Sequence, residues 1–496
     1  MYQTTKKLFA VLLAALMLLG FASCTTSPGG SSTEPTEQPS QVSSAQEETT
    51  PQSEQLPTKG EYELAADIDH GAILHAWCWS FNTIKENMEN IARAGYTAIQ
   101  TSPVNACKPG EDGGMQLQDK DGSANKGKWY YHYQPTDYTI GNYQLGTKEE
   151  FEAMCAEADK YGVSIIVDAV VNHMTSDMNA VSDNIFDLTD SPFHSFGSIS
   201  NYGDREQVTQ GNLLALHDLN TQDEEVQQYI LNYLKECVQA GADGFRYDAA
   251  KHIELPDDDP AYASDFWSVI LDNGAVFQYG EVLQGGSDRI ADYAEIMHVT
   301  SPTYGQQVRN AVLNKSLKVL NWSNYAVNEV EENRLVTWVE SHDNYCNDGS
   351  WSMLNEQDVK WAWALIAARS GGTPLFFSRP DGASIDDQWG NNQIGARGSE
   401  LFMDPDVAAV NQFRNHMAGL SETLSNPMDS REAVMIERGD KGAVIVNVGD
   451  EPLALKSVPS VLADGTYEDK VSGAKFTVKD QRIEGTVKAG QIVVLY

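Results

Sequence analysis

The feature that most constrains the fold is an alternation of strand-like and helical segments over about 330 residues. Residues 164–171 form a nearly continuous apolar run, which is typical of a strand buried on both faces. Amphipathic helices are predicted near residues 84–91, at 151–161 behind a capping box of Thr147 and Glu150, and at 226–238. Further strands are predicted at 72–79, 97–100, 244–249, 276–282, 335–339 and 373–377.

This order predicts an α/β protein with a parallel sheet and crossover helices. Eight strand–helix units fit a (β/α)8, or TIM, barrel with insertions. A doubly wound sheet is the alternative, although no glycine-rich phosphate turn follows the first strand. After about residue 400 the pattern changes to short β runs at 433–436, 443–447, 476–478 and 492–495, separated by glycines. They predict a small antiparallel β domain.

The first sixty residues are predicted to direct the chain to the cell surface. Lys6 and Lys7 precede an apolar run at 8–22, which matches a signal peptide over residues 1–23. Small residues before Cys24 resemble a bacterial lipobox, so Cys24 is the expected lipidation site. The alternative is a secretory peptide cut near Ala22 and a freely secreted protein. Residues 24–60 are rich in Ser, Thr, Pro, Glu and Gln and are expected to form a disordered tether.

Charge and cysteine content exclude several classes of function. A formal net charge of −37 argues against nucleic acid or an anionic membrane surface as a ligand. Contact with a membrane is therefore expected only through a lipid anchor. The five cysteines after Cys24 contain no close pair, so neither a disulfide framework nor a CxxC metal site is expected.

Polar and charged side chains end four of the predicted strands. The residues concerned are Asp168, Asn172 and His173; Arg246 and Asp248; Glu281; and His342 and Asp343. Arg246 and Asp248 are two apart and share one strand face, so the guanidinium can keep the carboxylate ionised. A single strand-terminal Asp is more often a turn or helix cap. Four such segments in succession are expected to converge at the carboxyl-terminal face of a parallel barrel.

These four segments resemble the signature regions of the α-amylase family, glycoside hydrolase family 13. The resemblance covers roughly residues 65–496 and is greatest to the Bacillus subtilis type, through segments 73–77, 133–136, 251–256 and 373–379. It implies a barrel domain at 61–173 and 217–400, and a small B domain inserted after the third strand at 174–216. A C-terminal antiparallel β-sandwich is implied at 401–496.

The resemblance implies a retaining mechanism with three carboxylates. Asp248 is the expected nucleophile, Glu281 the general acid and then base, and Asp343 a third carboxylate that binds sugar hydroxyls. A retaining enzyme needs its nucleophile and acid roughly 5–5.5 Å apart. Glu281 requires a raised pKa, so less polar surroundings and a nearby like charge are expected around it.

The resemblance also implies a set of substrate-binding residues. His173 and His342 are expected to hydrogen-bond the sugar at the cleavage subsite, and Tyr133 to stack on the sugar at the nonreducing side. Lys251 and His252 are expected to line the reducing-side subsites. The full expected set is Tyr130, Tyr133, Gln134, His173, Leu214, Arg246, Lys251, His252 and His342. Plain packing is the alternative for the aromatic residues.

A structural calcium ion is the implied cofactor, since Ca²⁺ takes hard oxygen ligands. The matching positions are the side chains of Asn172 and Asp218 and the carbonyls of Thr209 and His252. Chloride is not expected, because Ser341 stands where the chloride-activated branch of the family carries Asn.

Three functions remain open from the sequence. The first is an endo-acting α-amylase that cleaves α-1,4 bonds of starch, maltodextrin or a related α-glucan. The second is a maltodextrin-trimming hydrolase or transglycosylase with the same carboxylates. The third is a cell-surface lipoprotein that binds starch without cleaving it, against which the intact trio of carboxylates argues. A monomer is expected in each case.

Overall fold

A closed barrel of eight parallel strands forms the centre of the molecule. The computed structural model describes residues 54–110, 114–119 and 128–496. Barrel strands one to eight, in chain order, are Ile73–His75, Ala98–Gln100, Ser164–Ala169, Gly244–Tyr247, Phe277–Gly280, His298–Thr300, Leu335–Trp338 and Thr373–Phe377. Strand eight pairs with strand one through Phe377 and His75, which closes the barrel. The predicted (β/α)8 fold is confirmed.

The barrel closes because its strands carry apolar side chains on both faces. One cluster of buried side chains includes Ile73, Ala98, Ile166, Phe277, Tyr279, Val336, Trp338 and Leu375, which come from six different strands. Strands buried on both faces are typical of parallel sheets covered by helices. The sequence did not reveal the sixth strand, His298–Thr300, because Val299 is its only apolar residue and its first residue is a half-buried His.

Helices connect the barrel strands and pack outside them. The main ones are Phe81–Glu86, Met88–Arg93, Lys148–Tyr161, Glu224–Gln239, Phe266–Ile270, Ile290–Ile296, Pro302–Leu313, Glu356–Ala367 and Pro405–His416. The capping box predicted at Thr147 and Glu150 is present, and Gly162 ends the same helix with a φ of 69°. The helical segment predicted near residues 84–91 is two short helices that meet at Asn87.

Two long excursions leave the carboxyl-terminal side of the barrel. After strand two, Asn105–Cys107 pairs with Pro135–Ile140. After strand three, His173–Met174 pairs with His217–Asp218, and the chain between them contains the short helices Asp183–Phe186 and Arg205–Gln210. We call the second excursion, which lies where the sequence predicts the B domain, the B excursion.

Two four-stranded antiparallel sheets form the C-terminal part of the chain. The first contains Glu422–Ser425, Ala433–Arg438, Gly442–Asn447 and Ile492–Leu495, and the second Leu453–Pro459, Arg482–Val487, Lys475–Lys479 and Gly465–Glu468. Met435, Ile445 and Val493 of the first sheet share one buried cluster with Phe476 and Ile483 of the second. The predicted β-sandwich is confirmed. Its first strand starts at Glu422, and the preceding helix Pro405–His416 packs on the barrel helix Glu356–Ala367, where Trp363 Nε1 donates to Asn411 Oδ1 at 2.9 Å.

The predicted disordered linker does not extend to residue 60. Thr58–Lys59 pairs antiparallel with Leu64–Ala65, and the Leu56 N–H donates to the carbonyl of Ala418 at 2.9 Å. These backbone bonds order residues whose composition alone predicts a tether. The predicted signal peptide, Cys24 and the rest of the linker lie outside the described residues.

Among residues 54–110, 114–119 and 128–496, no helix is long and apolar enough to cross a membrane. Cys78, Cys107, Cys155, Cys237 and Cys346 are free thiols.

Candidate active site

One buried arginine gathers three carboxylates at the carboxyl-terminal face of the barrel. Arg246 lies on strand four, in register with Asp168 of strand three, and is 4% exposed. Its Nη1 donates to Asp168 Oδ1 at 2.6 Å and to Asp248 Oδ1 at 2.8 Å. Its Nη2 lies 3.0 Å from Glu281 Oε1. The expected nucleophile and general acid therefore contact two nitrogens of the same guanidinium.

The surroundings of Glu281 differ from those expected. Besides the Arg246 guanidinium, the N–H of Ala249 donates to Glu281 Oε2 at 3.1 Å. Ala249 has a φ of 50°, in the left-handed region that non-glycine residues rarely adopt. Both carboxylate oxygens of Glu281 thus face donors, and the expectation of less polar surroundings is wrong. It failed because the barrel brings Arg246 between the two carboxylates, which the spacing within each motif does not reveal.

A second acidic side chain, Asp343, lies close enough to Glu281 for their charges to interact. Asp343 follows strand seven, and burial together with the charge of Glu281 raises its pKa well above the ordinary range of an aspartate. Burial also raises the pKa of Asp168, while the Arg246 guanidinium opposes that rise. The site thus contains carboxyl groups in unequal environments, which is the arrangement that acid–base chemistry requires.

Two histidines and one tyrosine surround the carboxylates. His173 Nε2 lies 4.0 Å from Asp248 Oδ2, and His342 Nε2 lies 3.7 Å from Asp343 Oδ1. The Tyr133 ring stacks on the His342 ring with centroids 5.1 Å apart and an interplanar angle of 12°. The Tyr133 hydroxyl donates to Asp168 Oδ2 at 2.8 Å. One face of the expected stacking platform is therefore already covered by the imidazole of His342.

Burial keeps both histidines uncharged at neutral pH. It lowers the pKa of His342 to about 3 and that of His173 below its ordinary value, although the Asp248 charge opposes the latter shift. A neutral imidazole can donate one hydrogen bond and accept another. Such groups suit the hydroxyls of an uncharged ligand.

The other residues predicted to bind substrate are placed as follows. Tyr130 and Leu214 are 37% and 39% exposed, so both residues are accessible to solvent. Gln134 Oε1 accepts from the Thr175 hydroxyl at 3.0 Å. Lys251 Nζ donates to the Leu283 carbonyl at 3.3 Å. His252 is only 5% exposed and its Nδ1 lies 2.9 Å from the Val208 carbonyl, so this edge of its ring faces the B excursion.

Two of the four predicted calcium ligands, Asn172 and Asp218, contact each other. Asp218 is 1% exposed, and the Asn172 amide nitrogen donates to its Oδ1 at 3.2 Å. His194 Nδ1 lies 2.7 Å from Oδ2, while no Lys or Arg of the described part of the chain pairs with Asp218. Burial and the nearby Glu254 raise the pKa of Asp218 well above its ordinary range. Within the described ranges, no cluster of three or more His, Cys, Asp or Glu side chains could hold a metal. An ion here would thus depend on amide and carbonyl oxygens.

Comparison with known proteins identifies the family. Residues 80–358 match the sequence model described as the alpha amylase catalytic domain. The chain belongs to the α-amylase family. It is 43% identical over 468 residues to an alpha-amylase of Butyrivibrio fibrisolvens, covering 86% of this chain and 47% of that protein. It is 38% identical over 449 residues to an alpha-amylase of Clostridium acetobutylicum, covering 88% of this chain and 55% of that protein. The chain thus spans about half the length of these relatives.

Solved structures of α-amylases share the fold. A mutant of alpha-amylase I from Eisenia fetida, solved with maltohexaose, superposes with a TM-score of 0.70 at 19% identity and covers 89% of this chain and 99% of that one. An Anoxybacillus alpha-amylase superposes with a TM-score of 0.67 at 18% identity, covering 86% and 98%.

Two residues beside the predicted calcium ligands of this α-amylase family member were not found from the sequence. His194 and Glu254 flank Asp218, with His194 Nε2 3.8 Å from Glu254 Oε1. Both lie in loops without an apolar run or a metal-ligand spacing, so no local pattern marks them. Their common feature is burial of polar groups, which only the tertiary structure reveals.

Proposed function

We propose that the chain is a retaining α-amylase that cleaves internal α-1,4 bonds of starch-like glucans. The observation that carries this proposal is the pairing of Asp248 and Glu281 with one guanidinium at the open face of the barrel. Two carboxyl groups held close together support the double-displacement route, in which one acts as a nucleophile and the other as an acid.

In this proposal Asp248 attacks the anomeric carbon while Glu281 gives its proton to the departing glycosidic oxygen. A covalent glycosyl ester forms on Asp248 and the C1–O bond to the leaving sugar breaks. Glu281 then takes a proton from water, whose oxygen attacks the anomeric carbon and releases Asp248. Arg246 donates a hydrogen bond to Asp248, and Asp343 with the neutral His173 and His342 is suited to bind sugar hydroxyls.

The proposal is tested with Glu281→Gln and starch. This variant keeps the side-chain shape but cannot donate the required proton, so we expect turnover to fall by at least about 10²–10⁴-fold while glucan binding persists. Glu225→Gln, on the exposed side of helix Glu224–Gln239, is the matched control. Near-normal turnover of Glu281→Gln would contradict the assignment of the acid.

The product pattern distinguishes the mode of cleavage. Endo cleavage removes iodine staining while few reducing ends appear. Release of glucose or maltose with staining preserved would indicate a trimming enzyme, and new longer oligosaccharides a transglycosylase. Binding without any product would indicate a starch-binding protein.

We also propose that Asn172, Asp218 and the carbonyls of Thr209 and His252 hold a structural Ca²⁺. A buried carboxylate without a Lys or Arg partner favours a cation, and rotation of the Asn172 amide would present a second hard oxygen to it. Bound calcium would supply positive charge between the B excursion and the barrel. We expect EDTA to lower the Tm by about 3–6 °C. Asp218→Asn should abolish that response, and an unchanged Tm of the unaltered protein would contradict the site.

We propose further that Cys24 carries a lipid that anchors the protein to the cell surface, where a monomer acts on extracellular glucan. The supporting feature is the apolar run followed by small residues and Cys24. Mass spectrometry of the mature N-terminus tests it. A mature chain that starts before or after Cys24, without added lipid mass, would indicate a freely secreted enzyme.

A further inference from the structure

One buried carboxylate beside the cleft holds two arginines that are far apart in the sequence. Asp258 has a side chain only 3% exposed. It accepts from Arg205 Nε at 3.1 Å and Nη2 at 2.8 Å, and from Arg289 Nη1 at 2.7 Å. Arg205 begins the helix Arg205–Gln210 of the B excursion, and Arg289 follows strand five. The cluster of Arg205, Asp258 and Arg289 therefore joins three separate segments.

Arg205 extends from Asp258 to the backbone on both sides of His252. Its Nη1 donates to the carbonyl of Lys251 at 2.7 Å, and its Nη2 donates to that of Ile253 at 3.3 Å. These bonds tie the segment after strand four to the B excursion. The same segment carries Lys251, an expected reducing-side residue.

Arg289 restrains the loop that follows Glu281. It has a φ of 49° and donates to Asp257 and Asp292 besides Asp258, at 2.7 and 2.8 Å. Inside this loop the Gly285 N–H donates to Asp288 Oδ2 at 2.6 Å. Lys251 Nζ reaches the Leu283 carbonyl from the opposite segment.

Gly286 shows how closely this loop approaches the B excursion. It has a φ of 66°, and a Cβ at this position would lie 2.5 Å from the carbonyl oxygen of Tyr202. A side chain cannot be accommodated there without moving the backbone. The loop after Glu281 is therefore held against the B excursion by backbone contact as well as by the ion cluster.

Each of the three anchored segments contains, follows or contacts a residue of the proposed cleft. Val208 of the B excursion contacts His252, Lys251 lies in the segment after strand four, and the third loop follows Glu281. Loss of one member of a buried ion pair leaves its partner with an unbalanced charge, so the segments are expected to shift when the cluster is broken. A displacement of about 1 Å at a binding residue can lower a rate by about a hundredfold.

We propose that Arg205, Asp258 and Arg289 are positioning residues that preform the half of the cleft which receives the leaving, reducing-side sugar. They touch neither the reacting atoms nor the sugar, and act through Lys251 and the loop after Glu281. This inference rests on the proposed α-glucan hydrolysis.

Two substrates separate this role from general support of the fold. Maltoheptaose places sugars on both sides of the cleaved bond, whereas α-maltosyl fluoride releases only fluoride and leaves the reducing side empty. We expect Asp258→Asn to lower kcat/KM for maltoheptaose by about tenfold to a hundredfold while kcat/KM for α-maltosyl fluoride changes by less than about twofold. Arg289→Lys leaves the Arg205–Asp258 pair in place and should show the same pattern with a smaller loss.

The control is Arg93→Lys, which alters an exposed arginine–glutamate pair within one helix and should change neither rate. Equal losses on both substrates, or no loss on either, would overturn the positioning role. If Asp258→Asn does not fold, the same two substrates are compared with Arg289→Lys, and the same outcomes support or overturn the positioning role. An unaltered protein that hydrolyses neither substrate would overturn the proposed hydrolysis, and with it this inference.

Discussion

The two ends of the barrel each bury an arginine, but they surround it with different partners. At the carboxyl-terminal end, Arg246 binds three carboxylates. At the opposite end, Arg414 is 2% exposed and donates to backbone carbonyls, among them Gly71 at 2.6 Å and Gly372 at 2.5 Å. Gly372 immediately precedes strand eight, and Gly71 lies two residues before the start of strand one. No carboxylate of the described residues forms an ion pair with Arg414.

The two buried arginines differ in what their partners can do. Carboxylates around Arg246 carry charge that can take part in a reaction. Carbonyls around Arg414 only satisfy its donors, and burial lowers its pKa to about 9. Arg414, at the amino-terminal end or bottom of the barrel, therefore joins the helix Pro405–His416 to the strand starts. Arg246, at the carboxyl-terminal end or top, instead binds the carboxylates of the proposed active site. This division agrees with barrels in which the carboxyl-terminal face is catalytic and the other face stabilises.

The largest effect is expected at the top from Asp248→Asn. It removes the proposed nucleophile and one of the negative charges around Arg246, so starch hydrolysis should fall by at least about 10³-fold. Thermal stability should stay the same or increase, because carboxylates gathered for function are rarely optimal for folding. Rate and Tm measured on the same preparation check this. A loss of folding in proportion to activity would show that the top of the barrel is structural as well.

The reverse outcome is expected at the bottom from Arg414→Met. The change leaves several buried carbonyls without a donor and should destabilise the fold by about 3 kcal/mol. The rate per folded molecule, measured well below the Tm, should remain unchanged. Urea unfolding gives the first quantity and a starch assay the second. A stable variant with reduced activity would remove the distinction between the two ends.

A smaller effect is expected in the pH dependence of stability, and it again arises at the top of the barrel. The pKa of His342 is lowered to about 3 in the folded protein, below its unfolded value of about 6.5. The unfolded chain therefore binds more protons between these values, so stability is full above about pH 6.5 and is lost as the pH falls toward 3. His342→Asn should reduce this slope by up to about 1.4 kcal/mol per pH unit.

Urea unfolding from pH 7.5 to 4.5 measures that slope. His70, which is partly exposed and pairs with Asp67 at 2.7 Å, offers the control His70→Asn. An equal slope in His342→Asn and the unaltered protein would contradict the prediction.

Sequence patterns predicted those elements whose signal is local. Strand three was predicted from the nearly continuous apolar run at 164–171, where the structure has Ser164–Ala169. The helix at Lys148–Tyr161 was predicted because its cap and apolar face are contiguous. Strand Leu453–Pro459 was not predicted from the sequence. Only Leu455 and Val458 of this strand are buried, because its sheet is half exposed. Strand six was not predicted because only one of its three residues, Val299, is apolar.

What the sequence by itself determined is the local order of strands and helices, the carboxylates at strand ends and the family that these motifs indicate. Only the tertiary structure decided that Arg246 contacts both Asp248 and Glu281, and that Asp258 holds Arg205 and Arg289. The physical reason is that barrel closure brings together strand ends and loops tens of residues apart. Short-range patterns determine where a strand ends, but not which charge will face it across the barrel.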